Sequence, residues 1–562
     1  MPFPCLPHAC LDARALVPRT GAGRHDLSPG AARRRPTAAA PRAARTRAAG
    51  AGLARYVGGL VIALVVGCGG GGASVGETCT TVAECADGLQ CLDHICRPGC
   101  LADIDCGDGR FCEARECKVV LSELGDPCVS ETECGRGQTC RLPVDTFTTG
   151  VGACQSELST GPRVVGEPCA IDDDCRIGAC ALGRCTALCA NDSQCLRGFL
   201  CTEIPRVSAD AEAALGGYRG CLPSRGTLTY DVPVRPLLLP AASATQTITV
   251  PVVQTATSLT VVTEAGRASD VVGVAKVADQ AEVIFDETPG QPKLLRHTRL
   301  PGLAVLQIPT TSAVDSVHWG HYQMDIKTSA ASGAIANAGR RIRIVEKLGN
   351  DARLDLHFYF ADLSNHPCLS QPLDAAHAAS DDDFQTRFRT ELVRIFAPAN
   401  IAIAAVTYGD IAGTQDGRGQ IPAGTYDSLT ATSAAALFRR FPHTTGVNVF
   451  IVRSLAPAGT EILVGGTPGA PMGGTAASGV AVAMTPLCYQ PPGERWAYLA
   501  RITAHAVARH MGLYRNREPD GSADPLDDSP TDESNLMYWG EDGQTSLSSE
   551  QRDVLRKSPV LR

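Results

Sequence analysis

At 562 residues the chain is too long for one compact core, and roughly three or four domains are expected. Of its 25 cysteines, 20 lie between Cys79 and Cys221 and only Cys368 and Cys488 follow; this marks a disulfide scaffold joined to ordinary globular domains and excludes a reducing compartment. The formal charge of −8 becomes −16 once residues 1–67, with ten arginines and two acids, are removed, and an acidic chain of this kind argues against nucleic acid as partner.

Residues 1–67 read as an export signal. The run Tyr56 to Gly67, YVGGLVIALVVG, is apolar over twelve residues behind Arg55, too short to span a bilayer as a helix. It ends in VVGC, which resembles a bacterial lipobox and implies lipidation of Cys68 as the mature N-terminus. Several acyl chains then anchor the protein firmly to a membrane. A plain secretory signal with an incidental cysteine is the simpler reading. The arginine-rich residues 1–52 look like an over-extended gene start. Residues 68–78, opening with four glycines, form a tether. The expected location is the bacterial cell envelope, lipid-anchored at the outer membrane, or the extracellular space.

Residues 79–224 repeat. Cys79, Cys85, Cys91 and Cys96 are spaced x5, x5, x4, and Cys100, Cys106, Cys112 and Cys117 repeat that spacing. Three more units follow: Cys128 to Cys154, Cys169 to Cys185, and Cys189 to Cys221. Five units of four cysteines imply ten disulfides, and each unit is too short to bury a core, so crosslinks must order it. Four cysteines allow three pairings, and spacing does not choose among them. Zinc is the competing use, disfavoured because CxxC pairs are absent. The spacing looks like small repeats broadly of Dickkopf or colipase type, which implies a stalk or a protein-binding surface.

From residue 225 to 345, β-branched runs such as TQTITVPVV (Thr245 to Val253) and SLTVVTE (Ser258 to Glu264) predict an all-β, sandwich-like spacer. His318 and His321 would sit on opposite faces of a strand, hence structural. Arg340 to Leu348 is expected to bridge to the last domain.

Residues 346–562 alternate strand and helix signals. Arg353 to Leu363, Asn400 to Tyr408, Gly446 to Val452 and Gly479 to Met484 predict strands. Ser380 to Phe396 predicts a helix capped by Ser380, and a second runs from about Glu494 to Leu513. The second helix carries TAHAVARHMGLYRNRE, Thr503 to Glu518.

That segment, with NLMYW at Asn535 to Trp539, DPLDDSP at Asp524 to Pro530 and SLSSEQRDVL at Ser546 to Leu555, resembles a metzincin, specifically pappalysin-like, metalloprotease domain. The resemblance implies an α/β (α+β) fold in which HExxHxxGxxH binds zinc and a Met-turn underlies it. His505, Gly512 and Met537 match the pattern, whereas Ala506 stands at the glutamate, Arg509 at the second histidine and Arg515 at the third. No catalytic set is intact, so neither a metal nor a cofactor is expected. His510, five residues from His505, lies on another face of the helix, and two guanidiniums repel a dication.

The resemblance also implies that Gly479, Val480, Ala481 and Val482 form an edge strand that pairs with extended peptide, a mode that requires no metal. The expected function is binding of a protein or peptide ligand. The alternative is an active zinc metallopeptidase with an unusual ligand set. The acidic loop Asp520 to Glu533, holding Asp524, Asp527, Asp528 and Asp532, is the expected partner of Arg509 or Arg515, and calcium there is a lesser alternative because EF-hand spacing is absent. Cys368 and Cys488 are disulfide candidates; two free thiols are the alternative.

Overall fold

The computed structural model describes residues 161–562, apart from 208–213, 233–242, 267–269, 330–339, 541–544 and gaps of one or two residues, together with short stretches between 77 and 156. The export signal, Cys68 and most of the tether lie outside the described residues. The chain is multidomain and β-rich, with a disulfide-rich N-terminal region. Among the described residues, no helix is long and apolar enough to cross a membrane.

The last three cysteine units share one pairing, first to third and second to fourth: Cys128–Cys140 with Cys134–Cys154, Cys169–Cys180 with Cys175–Cys185, and Cys189–Cys201 with Cys195–Cys221. Their Cα–Cα separations of 5.3–5.9 Å are ordinary for disulfides. Equivalent carboxylates support the crosslinks. Asp172 accepts the Cys180 N–H at 2.7 Å and Asp192 accepts the Cys201 N–H at 2.8 Å, each from a single 3₁₀ turn.

Nine antiparallel strands follow in two facing sheets: β1 (Gly226–Val232), β2 (Ser243–Val252), β3 (Ala256–Glu264), β4 (Val271–Asp279), β5 (Glu282–Asp286), β6 (His297–Leu300), β7 (Leu303–Ile308), β8 (Gly320–Ser329) and β9 (Arg341–Leu348). One sheet has the order β1-β9-β3-β7-β6 and the other β2-β8-β4-β5. In β8, Tyr322, Met324, Ile326 and Thr328 alternate inward, so a period of two buries one face. Tyr322, Met324 and Ile326 meet Ile248, Val261 and Ile344 from both sheets in one core.

Two expectations are corrected here. Arg341–Leu348 is no bridge: it lies between β1 and β3, because Ile342 and Ile344 fill that core. His318 precedes β8 and meets Asp279 instead of sharing a strand with His321.

The C-terminal region is built on a mixed sheet of β10 (Arg353–Phe360), β11 (Ala402–Asp410), β12 (Val447–Val452), β13 (Ile462–Val464) and β14 (Val480–Ala483), ordered β11-β10-β12-β14-β13. All pairs are parallel except β13 with β14. Strands β10, β12 and β14 are buried along nearly their whole length, as strands covered on both faces must be. Helices α1 (Ala375–Ser380), α2 (Thr390–Phe396), α3 (Ala431–Phe438), α4 (Arg495–His510) and α5 (Ser549–Lys557) complete the region.

The helix expected from Ser380 to Phe396 runs unbroken over residues 382–396, but its cap is Asp381, and Ser380 instead ends a separate short helix. Asp374 caps α1 by accepting the His377 N–H at 2.7 Å, and Ser380 ends it. Asp381, with an extended ψ of 112°, accepts the Phe384 N–H at 2.6 Å through its carboxylate and the Gln385 N–H through its carbonyl, so it ends α1 and caps the helical segment that follows. A π-helical stretch, Phe384–Arg389, then brings the Phe384 and Phe388 rings into a stack 4.7 Å apart and sets Phe384 edge-on to Trp496. Helix α4 is buried almost all round, so it is a central helix, and it stops at His510, short of Leu513, because Gly512 takes a φ of +111°. Cys368 and Cys488 are disulfide-bonded, with Cα atoms 4.9 Å apart, tying the loop after β10 to the one before α4.

The sandwich and the C-terminal region share a core. Val262, Val305 and Val345 pack against Ala470, Met472 and Ala477. Gln307 donates to the Met511 carbonyl at 3.2 Å and Thr298 to that of Pro468 at 2.8 Å. The buried Lys347 ammonium donates to the carbonyls of Asp351 and Arg556. These contacts press the sandwich against the end of α4.

Candidate functional site

Helix α4 delivers His505 and Arg509 one turn apart, and the Gly512 turn sends the chain back as Tyr514, Arg515 and Glu518. A Cβ at Gly512 would stand 2.9 Å from the Gln307 amide, so both the φ and the neighbouring sandwich require glycine. Gly469 is similarly constrained: a Cβ there would overlap the ring of His510.

His505 is buried, and its Nδ1 hydrogen-bonds the Leu536 carbonyl at 2.8 Å. That carbonyl accepts, so Nδ1 carries the proton and Nε2 holds the lone pair. Nε2 is buried with no partner among the described residues. Burial, then the Arg509 and Arg515 guanidiniums, push the His505 pKa down to about 3. The ring is therefore neutral. His510, also buried, is pushed down to about 4. Met537 sits fully buried beside Leu536 in the main core, its N–H held by the Asn535 side chain at 2.9 Å.

Where the resemblance calls for a general base, the Ala506 methyl is fully buried in the same core. Where it calls for the second imidazole, Arg509 forms an ion pair with Glu518 at 3.1 Å, both side chains 14% exposed. Glu518 also accepts the Arg515 N–H at 3.0 Å. For Arg509 the expected partnership with the acidic loop is thus corrected. Asp524, Asp528 and Asp532 turn their carboxylates to Ser529, to the Glu550 N–H and to Ser534, while the reversal at Gly512 brings Glu518 to Arg509. Asp520 lies outside the described residues.

The donor set does not fit zinc. One imidazole lone pair faces two permanent cations, and among the described residues no cluster of three potential metal ligands includes His505. Nor do the loop carboxylates converge for calcium: among the described residues no such cluster contains an aspartate or glutamate.

The edge strand is the second correction. Gly479 to Val482 form no edge, because β14 lies between β12 and β13 and is buried throughout. The edge is β13. Ala483 N–H donates to the Glu461 carbonyl and Gly465 N–H to that of Gly479, so the odd-numbered residues turn their polar groups to β14. Ile462 and Val464 therefore present their N–H and C=O groups to the open side.

That side lines a cleft of about 1110 Å³. Ile462 to Val464 form one wall; Arg509, Arg515 and Glu518 line it further along; Lys293 and Arg296 to Arg299 of the sandwich close the other side. Tyr514, also lining it, donates to the Thr467 carbonyl at 2.9 Å and lies under Arg296, whose guanidinium is 4.9 Å from the ring centre. Sequence reasoning missed the sandwich wall. Its only signal was the local cluster Arg296, His297 and Arg299, some two hundred residues upstream of α4.

The chain matches no protein-family model and no curated protein.

Proposed function

We propose that residues 346–562 are a metzincin-like α/β domain that has lost zinc and catalysis and binds an extended protein or peptide, carried on an exported chain anchored by lipid at Cys68 to the cell envelope. One observation carries the reading: β13 keeps an open edge along a cleft in which an Arg509–Glu518 ion pair occupies the place of a metal ligand. An exposed strand edge supplies main-chain hydrogen bonds to an added strand, and side-chain recesses beside it supply selectivity. Ala506 carries no proton acceptor at the place of the general base, and Arg509 holds a permanent positive charge engaged with Glu518.

The test is peptide-array binding by the full chain and by a Val464→Pro variant. Proline removes the outward N–H of an edge residue without touching the pairing to β14. Array signals that vanish with Val464→Pro support the reading. Signals unchanged by the substitution contradict it.

A further inference from the structure

The cleft is positively charged on a chain that is not. Among the described residues, five cationic side chains, Lys293, Arg296, Arg299, Arg509 and Arg515, line it with one carboxylate, that of Glu518. The whole chain carries a net charge of −8. Glu518 is already engaged by Arg509, and Arg299 is paired at 2.8 Å with Glu287, which also binds Lys327. Lys293 is exposed and forms no ion pair among the described residues. His297 between these groups adds no charge, since burial and Arg299 push its pKa down to about 4.

Resting on the edge-strand reading above, we propose that the ligand is an acidic extended peptide segment of a partner protein. Its backbone pairs with Ile462 and Val464, and glutamate or aspartate side chains engage the cationic wall formed by Lys293, Arg296 and Arg299. Three features favour this occupant. A cleft lined by one sign of charge concentrates ligands of the opposite sign and raises their on-rate. Alternate side chains of an extended strand stand on one face about 6.5 Å apart, so acids at alternate positions can meet a wall whose cations, Lys293, Arg296 and Arg299, follow one another along the segment that leads into β6. A guanidinium binds carboxylate bidentately, and Arg296 is pre-positioned for it over Tyr514 and by its bond to the Ala523 carbonyl at 2.7 Å.

The test measures fluorescence anisotropy of the full chain with three labelled peptides: alternating Glu and Val, the same with Gln for Glu, and the same with Lys for Glu. Each is titrated at low and high salt against wild type, Lys293→Glu, Arg299→Glu and Val464→Pro. Lys293 is exposed, so its reversal leaves folding intact even where Arg299→Glu disturbs the Glu287 pair. The Glu peptide is expected to bind about tenfold tighter than the Gln peptide, with the gap closing at high salt and in Lys293→Glu. Val464→Pro weakens both. Equal binding of Glu and Gln peptides, both lost in Val464→Pro, leaves the edge-strand reading intact and overturns the acidic preference. Peptide binding that is absent, or indifferent to Val464→Pro, overturns the edge-strand reading and this inference with it. A sulfated oligosaccharide that binds tightly and ignores Val464→Pro overturns the proposal in favour of an anionic glycan.

Discussion

The cysteine units and the C-terminal region reach order by opposite means. Between Cys169 and Cys221 four disulfides hold two units with few buried apolar side chains, whereas residues 353–562 contain one disulfide and a core running from Leu354 to Leu561. Covalent order tolerates almost any surface; order by burial constrains every residue near it. His505, Ala506 and Arg509 of α4 lie in the second kind of region, so their chemistry is tied to packing.

Reduction should separate the two most sharply. Each unit loses two crosslinks worth about 2–4 kcal/mol apiece, so a thiol reductant should abolish hydrogen-exchange protection over residues 169–221 and leave that of β10, β12 and β14. Equal loss in both regions would break the comparison. Next comes Phe388→Ala, which opens a cavity beside Phe384 and Phe358 and should cost about 3–5 kcal/mol in denaturant unfolding, with no effect on the cysteine units.

Charge reversal at Arg509 tests the link between packing and site. Arg509→Glu sets two carboxylates together where both side chains are largely buried, and about 3 kcal/mol of stability should be lost; Arg509→Glu combined with Glu518→Arg should restore much of it. An unchanged melting temperature for the single variant would remove the ion pair from the account.

The smallest effect is on pH. His297, His505 and His510 are held well below 6.5, so each must shed its proton on folding, and the stability this represents is present above pH 6.5 and lost as pH falls toward their folded values of about 4, 3 and 4. Glu346 and Asp524 oppose them. Burial raises these to about 7 and 6, so their contribution is fully present below the unfolded carboxyl range and is lost as pH rises through those values. Between the unfolded carboxyl values and about pH 6 these five groups leave the unfolded chain one proton ahead, a loss of about 1.4 kcal/mol per pH unit as pH falls through that window. Glu346→Gln removes one opposing contribution and should steepen the acid limb in a series of thermal melts; an unchanged slope would show that Glu346 is not the titrating group.

What the sequence revealed follows from the range of the interactions. Cysteine spacing marked the modules because each crosslink of the three described units closes within 26 residues, although only the folded chain selects their first-to-third and second-to-fourth pairing. His505, Gly512 and Met537 were readable from local pattern. The edge was assigned to Gly479 to Val482 because the resemblance implied it, yet the apolarity of that run belongs to a central strand, and Ile462 to Val464 is only three residues long. Glu518 was missed as the partner of Arg509 because the acidic loop offered more charge, while proximity came from the turn at Gly512. The helical period through Phe384, Phe388, Leu392 and Ile395 was legible and all four are buried, but the cap was placed one residue early, at Ser380, because Ser and Asp both cap helices and stand side by side.

The most direct measurement is metal content and peptide binding on the same folded sample, before and after dialysis against a chelator. The account predicts no stoichiometric zinc and an affinity for peptide that the chelator leaves unchanged. One zinc ion per chain, removed together with peptide hydrolysis, would contradict it.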